Sequence, residues 1–306
     1  MSRVKSLVIF AIAMLACGAG VWFILTPARK PADTGRIKVA ATFFPLADIA
    51  RQIGGDNVDV VTLLPPGASP HSFEPAPAQV LEIAQAKALF SIGHGLDDWA
   101  GTLANNAPNI SQVTVDRGIE LKPPLALTYI GSGGETKDSL DPHYWLTPQN
   151  GKLIAATIAD ELKRLDPAHA ADYDRRLEDF KRQMDETEAR IKTLLSDKKN
   201  TAIVTHHAAW QYFAAAFGLK IVGVIEPSPD KELTPMELVA LQKIIRANDI
   251  KTIFIEPELS EQLVKPLAQD LHLEIRSVDP EGVSSGMKNY QDMLLKNAQT
   301  FADALN

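Results

Sequence analysis

Three histidines and one aspartate stand in short motifs that are spread over more than 200 residues of the chain. They are His71 in PHSFEP, His143 in DPHYW, His207 in THHAAWQYF and Asp279 in SVDPEG. Imidazole nitrogens with one carboxylate oxygen suit a four-coordinate Zn²⁺ site, because this borderline ion takes N and O donors in tetrahedral geometry. These residue types therefore predict a divalent-metal site that the fold assembles from distant segments. Its affinity is expected to fall with pH through the histidine range, since ligating imidazoles must be deprotonated.

Three of these motifs, those of His71, His143 and Asp279, also have an ordinary structural explanation. His71 fits a solvated loop histidine, and His143 fits a loop histidine packed between its two aromatic neighbours. Asp279 precedes Pro280, and an aspartate before a proline commonly starts a turn. Judged alone, each of these three motifs supports the structural and the metal-binding role about equally, so the metal prediction depends on the combination of motifs.

The neighbouring histidines and acids leave alternatives open. Of the adjacent pair His206 and His207, we expect one ring to face the site and the other to face away, and we favour His207 as the ligand. Glu256 ends a predicted strand and is a further candidate ligand, ranked below Asp279. A carboxylate such as Glu74 or Glu256 can also orient a ligating imidazole through its second nitrogen. Surface or capping roles are expected for the remaining histidines, which are His94, His169 and His272.

The segments that would position these residues alternate between strand and helix. Apolar and β-branched runs predict strands at residues 37–41, 58–64, 88–92, 113–115, 202–204, 221–224, 252–255 and 273–278. Helical patterns separate them, for example at 46–53 and 78–86. This alternation predicts an α/β fold with two lobes, each with a mainly parallel sheet flanked by helices. Ligands collect beyond the carboxyl ends of such strands, where the candidate residues stand.

One long helix is expected to join the lobes. An apolar stripe at alternating spacings of four and three runs through Tyr173, Leu177, Phe180, Met184, Thr187, Ile191 and Leu194. If residues 168–197 are continuous, the helix is about 45 Å long. The sequence therefore predicts an N-terminal lobe at 37–167, a rigid linking helix at 168–197 and a C-terminal lobe at 198–306. A rigid link predicts only a small hinge motion between the lobes.

Charge and cysteine content narrow the class of ligand. The net charge is −7, but the first 36 residues hold five basic groups and one acid, which leaves −11 on the rest of the chain. An acidic body disfavours nucleic acid, whose phosphates need a basic surface. Cys17 is the only cysteine and lies in the N-terminal apolar stretch, so histidine and carboxylate must supply any metal ligands of the body.

The pattern of the first 36 residues predicts an export segment followed by a polar tether. Two basic residues, Arg3 and Lys5, precede an uncharged run from residue 7 to residue 25. This pattern fits a cleaved signal and an uncleaved membrane anchor equally, and the segment ending at Cys17 resembles a weak lipoprotein box. In each case the body is expected in the periplasm or on the outer face of the cytoplasmic membrane.

The ordered motifs resemble one known family. FFPLADIA, LLPPGASPHSFEP, GLDDW, DPHYWLTP, HAAWQYFAAAFGL, FIEPELS and SVDPEG occur in an order and spacing similar to the zinc and manganese receptors of bacterial ABC importers. The resemblance covers the chain after residue 36. It implies that His71, His143, His207 and Asp279 bind one ion between the lobes. It also implies delivery to an inner-membrane ABC permease by a monomeric protein.

Zinc is favoured over manganese as the cargo, with a manganese receptor as the alternative. The third nitrogen ligand, His207, suits Zn²⁺, because harder Mn²⁺ prefers oxygen donors. The stretch from residue 127 to residue 141 contains no histidine, so the histidine-rich loop of many zinc-selective members is missing. A zinc metallohydrolase is a less favoured interpretation, because no HExxH motif occurs in the chain. The chain is therefore predicted not to be an enzyme.

Overall fold

Two parallel four-stranded sheets form the framework of the described residues. The first has the order β2-β1-β3-β4, and the second has the order β6-β5-β7-β8. The strands of the first are β1 (Ile37–Ala41), β2 (Val58–Thr62), β3 (Ala88–Ser91) and β4 (Ser111–Thr114). Those of the second are β5 (Ala202–His207), β6 (Lys220–Glu226), β7 (Thr252–Ile255) and β8 (Glu274–Ser277). The predicted α/β fold with two parallel-sheet lobes is confirmed.

The computed structural model describes residues 35–105, 107, 109–129, 139–226, 233–257, 261–284 and 286–305. The chain divides into two compact units, Met1–Arg36 and Ile37–Asn306. The N-terminal predictions, including the apolar run and Cys17, lie outside the described residues. Within the described ranges, no helix combines the length and the apolar character needed to cross a bilayer.

Nine helices flank the sheets in the described part of the chain. They are α1 (Phe44–Gly54), α2 (Pro77–Ile83), α3 (Asp98–Ala104), α4 (Pro148–Leu165), α5 (Ala170–Leu195), α6 (Gln211–Phe217), α7 (Pro235–Ala247), α8 (Glu261–Leu271) and α9 (Tyr290–Ala304). Capping residues determine where several of these helices begin or end. Thr147 caps α4 by accepting a hydrogen bond from the Asn150 N–H, with Pro148 in the first turn. Gly218 ends α6 in the left-handed conformation, with φ of 74°.

The linking helix is α5, which has 26 residues and a length of about 39 Å. It begins after a 3-10 turn at Pro167–His169, two residues later than predicted, and ends at Leu195. Its buried face follows the predicted stripe except at the end, where Leu195 is buried in place of Leu194. The stripe packs against α4, α9 and α1, so the helix forms part of a shared core rather than a free strut.

The C-terminal helix α9 returns from the second sheet to pack against α5 and α1. The Gln291 side chain exchanges hydrogen bonds of 2.9 Å with Gln52 on α1 and donates one of 2.8 Å to Gln183 on α5. The Tyr290 backbone N–H donates to the buried Asp48 carboxylate at 2.8 Å. The last helix therefore connects the C-terminal part of the chain to the N-terminal lobe and to the linking helix.

Tyr129 crosses in the opposite direction, from the N-terminal part of the sequence to the second sheet. Its hydroxyl donates to the Val224 carbonyl and accepts from the Val224 N–H, both at 2.6 Å. Val224 lies on β6, an edge strand of that sheet. Burial raises the pKa of Tyr129 to about 12, so the hydroxyl stays protonated and able to donate.

Candidate metal centre

Three of the four predicted ligands come together in the structure. His71 follows β2, His143 precedes α4 and His207 ends β5. One ring nitrogen from each lies within 4.8 Å of the other two. The ring centroids are 4.8–5.3 Å apart. The fold thus brings together imidazoles that are separated by 72 and 64 positions in the sequence.

The spacing of these nitrogens matches a tetrahedral ion. His71 Nε2 and His143 Nε2 are 3.3 Å apart. Two nitrogens bound to one tetrahedral Zn²⁺ at about 2.0–2.1 Å lie roughly 3.3–3.4 Å from each other. Without an ion, the His71 ring can donate this contact as a hydrogen bond, because Nε2 of His143 bears a lone pair. An ion placed between the rings can replace that shared proton.

Asp141 orients the His143 ring. Its Oδ1 accepts from Nδ1 of His143 at 2.8 Å and from the His143 backbone N–H at 3.0 Å. The Gln211 side chain donates to Oδ2 at 2.9 Å and fixes the other side of the carboxylate. A proton held on Nδ1 leaves the Nε2 lone pair facing the other two histidines, which is the tautomer that a metal ligand needs.

Glu256 plays the same part for His207. Its Oε2 contacts Nδ1 of His207 at 3.0 Å, and the Trp210 indole donates to Oε1 at 3.2 Å. Burial alone would raise the pKa of Glu256, but the attraction of His207 and its hydrogen bond lower the pKa below the ordinary value. An ionised, buried carboxylate therefore holds His207 in place. Glu256 occupies the orienting role that the sequence left open, while Glu74 is exposed.

His206 faces away from the group, because successive residues of a strand point to opposite faces of the sheet. Its side chain is buried, and its Nε2 lies 3.8 Å from a Glu226 carboxylate oxygen. The other histidines have local partners or tight turns. His94 contacts Asp116 at 2.9 Å, His169 contacts Asp166 at 2.6 Å at the start of the linking helix, and His272 has a φ of 55° before β8.

Asp279 lies outside the group of three histidines. Its Oδ1 accepts hydrogen bonds from the backbone N–H groups of Glu281 and Gly282, and its Oδ2 accepts one from Ser284. The adjoining Pro280 carbonyl accepts from the Trp145 indole at 2.7 Å, and the Trp145 ring packs beside His143. Asp279 thus shapes the loop that borders the histidines, as the turn-forming alternative predicts, and its direct role in metal binding stays a prediction.

Burial keeps the imidazoles of His71 and His143 neutral. Burial, and then repulsion from the neighbouring histidines, lowers the pKa of His71 to about 2. Burial also lowers the pKa of His143, although the Asp141 hydrogen bond opposes the shift. Since a ligating imidazole must be deprotonated, both rings are ready to bind a cation at neutral pH. The structure therefore moves the expected loss of metal binding to lower pH than ordinary histidines would give.

This burial has two measurable consequences, one for the stability of the metal-free protein and one for its affinity for metal. Below about pH 6.5, the histidines of the unfolded chain protonate while His71 and His143 stay neutral in the folded protein. The unfolded state then binds more protons, so the free energy of unfolding of the metal-free protein should fall as the pH drops below 6.5. Since neither His71 nor His143 takes up a proton between pH 7 and pH 5.5, proton competition at these two residues should cost the folded protein little metal affinity in that range. Urea unfolding and metal competition titrations across this range measure both quantities, and a steep loss of affinity centred near pH 6.5 would contradict neutral, buried ligands.

A two-lobed α/β protein with a long linking helix and three converging imidazoles, two of them held by carboxylates, has the architecture of a receptor for a metal ion. Comparison with known proteins identifies the family. The model for the periplasmic component A of the zinc-uptake complex, ZnuA, matches residues 39–304, and the chain belongs to this family.

Individual relatives agree with this assignment over nearly the whole chain. The manganese ABC transporter substrate-binding lipoprotein PsaA of Streptococcus anginosus is 29% identical over 96% of this chain and 95% of its own length. The zinc-binding protein AdcA of Streptococcus pyogenes serotype M1 is 26% identical over 90% of this chain and 57% of its own length. A crystal structure of ZnuA superposes with a TM-score of 0.78 at 27% identity, covering 89% of this chain and all of the other.

The family defines the general role of the chain. It is the substrate-binding component of an ABC importer for metal ions and not an enzyme, which removes the hydrolase alternative. The body lies outside the cytoplasmic membrane, as the sequence predicted. The names of the relatives are divided between manganese and zinc, so the family by itself leaves the preferred ion open.

Proposed function

We propose that this chain is a high-affinity Zn²⁺ receptor, which captures the ion with His71, His143 and His207 and delivers it to an ABC permease. The observation that carries this proposal is the convergence of three imidazoles, whose ring nitrogens lie within 4.8 Å of one another and of which the His71 and His143 Nε2 atoms are 3.3 Å apart. That separation fits tetrahedral Zn²⁺. Carboxylates on the second nitrogen of His143 and His207 add basicity and hold the rings in place.

The donor set favours zinc over manganese. Mn²⁺ is a hard ion that prefers carboxylate, carbonyl and water oxygens, whereas imidazole suits Zn²⁺, and affinities rise from manganese to zinc along the divalent series. Glu256, the nearest acid to His207, is engaged with that ring and with Trp210 rather than offered to the group. The group therefore offers three imidazole nitrogens. Manganese as the physiological cargo is the alternative, and the names of several relatives support it.

Asp279 is the proposed fourth donor. A carboxylate has about four lone-pair sites, and the three backbone hydrogen bonds at Asp279 leave room for one more contact. Carboxylates that bind metals are commonly hydrogen-bonded in this way, because such bonds fix their orientation. On this proposal the ion draws the loop that begins at Asp279 toward the histidines, and no position remains for a reactive water.

The remaining parts of the proposal concern the whole chain. The division into a lobe at 37–167, a linking helix at 168–197 and a lobe at 198–306 would let the ion bridge two separately formed surfaces. Residues 1–36 would keep the monomeric receptor at the outer face of the cytoplasmic membrane, through the apolar run or through a lipid on Cys17. There it would meet the inner-membrane permease and have no role with nucleic acid.

A competition experiment tests the choice of ion. The body of the protein, residues 37–306, is stripped with a chelator and titrated with Zn²⁺ and Mn²⁺ against a chromophoric indicator of known affinity. We expect Zn²⁺ to bind at least about 100-fold more tightly than Mn²⁺, because three imidazoles favour the borderline ion. Metal analysis of protein exposed to equal concentrations of both ions provides a second readout. Equal or tighter binding of Mn²⁺ would contradict the zinc assignment.

A further inference from the structure

His71 is supported differently from the other two histidines of the centre. Nδ1 of His143 and of His207 each contacts a buried carboxylate, but among the described residues no acid contacts the His71 ring. The His71 backbone N–H reaches only Ser69 Oγ, at 3.3 Å. His71 therefore depends on the backbone of its own loop for its position.

That loop, residues 65–75, connects β2 to α2 and has few attachments. One internal turn, from the Ala68 N–H to the Pro65 carbonyl at 3.2 Å, stiffens its start. Within the described ranges, a single hydrogen bond joins the loop backbone to another element. The indole N–H of Trp99, in the first turn of α3, donates to the Pro70 carbonyl at 2.9 Å.

Trp99 also contacts the part of the loop that follows His71 in the sequence. The Phe73 ring meets the Trp99 ring edge to face, with centroids 4.9 Å apart and planes at 72°. One indole thus contacts the residue immediately before His71 and the residue two positions after it. The next residue of α3, Ala100, is fully buried in the core of the N-terminal lobe, which gives the indole a rigid base.

We propose that Trp99 is the positioning residue for the ligand His71 and thereby controls how fast the bound ion leaves. This inference rests on the proposed function, because it takes His71 as a ligand. When the indole is removed, the loop samples positions in which the His71 nitrogen is away from the ion. The fraction of molecules with all three imidazoles in place falls, and the apparent affinity falls by the same factor. His143 and His207 keep their carboxylate supports, so the change should appear as faster dissociation.

The test compares two substitutions of Trp99 in metal-loaded protein. Trp99→Phe keeps an aromatic ring against Phe73 but removes the N–H donor, and Trp99→Ala removes both contacts. Dissociation of Zn²⁺ into excess chromophoric chelator is followed by stopped flow. Loss of one hydrogen bond predicts dissociation about fivefold faster for Trp99→Phe, with a further increase for Trp99→Ala. The visible absorption of Co²⁺-loaded protein should weaken in the same order, since it reports the coordination of the ion.

A control on the same helix separates positioning from general stability. Leu103→Ala removes a buried side chain from α3 without touching Pro70 or Phe73, so it should lower the unfolding midpoint and leave the dissociation rate unchanged. Wild-type dissociation and Co²⁺ spectra in both folded Trp99 variants would overturn the inference, as would equal acceleration by Leu103→Ala. His71→Ala distinguishes the two levels of proposal, because unchanged affinity in that variant would refute His71 as a ligand, and only then does the proposed site itself fail.

Discussion

His143→Ala should weaken Zn²⁺ binding by more than about 100-fold while both lobes stay folded. Changing a residue that merely orients a ligand commonly costs 10–100-fold in metal affinity, so removing the ligand itself should cost more. The fold should survive because the main cores are built from apolar side chains on the sheets and helices, and His143 is not one of them. Competition titration measures the affinity, and circular dichroism with urea unfolding reports the fold.

A histidine outside the centre provides the matched control. His169 contacts Asp166 at the start of the linking helix, so His169→Ala should leave metal affinity at the wild-type value. Asp279→Asn in the same titration tests the fourth donor and should weaken binding less than His143→Ala, since three imidazoles remain. Wild-type affinity in His143→Ala would remove this residue from the site, and wild-type affinity in Asp279→Asn would assign Asp279 to the loop alone.

Phe301→Ala should lower the free energy of unfolding by about 3–5 kcal/mol, the usual cost of deleting a fully buried aromatic ring. The centroid of the Phe301 ring on α9 lies 4.6 Å from the ring centroid of Phe254, 5.0 Å from that of Trp210 and 5.3 Å from that of Phe213. It therefore joins the C-terminal helix to β7 and to the segment that follows His207. Urea unfolding of the metal-free protein measures the loss through the midpoint.

Hydrogen bonds also connect this aromatic cluster to the candidate metal centre. Trp210 donates to Glu256, and Glu256 holds His207, so a cavity at Phe301 should loosen a support of the proposed ligand His207. Phe217, half-buried at the end of α6, contacts Phe213 and is the control, since Phe217→Ala should cost much less. Saturating Zn²⁺ should restore part of the stability of the Phe301 variant, because an ion that binds only the folded state stabilises it. Equal destabilisation by both alanines would show that the cluster has no central role.

The sequence predicted the elements whose signals are local. β1 and β7 have the predicted bounds, and Thr147 and Gly218 cap the helices where their residue types favour caps. β5 is longer than predicted and extends to His207, because the polar pair at its end continues the pairing with β6. The parallel arrangement followed from strand and helix alternation, which depends on chain order more than on contacts.

The residues that the sequence missed act through contacts between distant segments. No local pattern in α9 indicates that it returns to α1 and α5, since Gln52 and Gln291 are separated by 239 positions. Asp141 was also missed as the partner of His143, although an acid two residues before a candidate ligand in DPHYW was an available signal. The proposed role of Trp99 could be inferred only from the fold, which places α3 beside Pro70.

The phenol of Tyr129 bears on how an exported protein avoids aggregating outside the cell. An edge strand presents unpaired backbone groups to which another chain can add as a further strand. On β6 the N–H and carbonyl of Val224 are both occupied by that one hydroxyl, so an incoming strand would find the middle of this edge closed. A single aromatic side chain here protects against intermolecular strand addition, a task for which many proteins use a charged residue or a bulge.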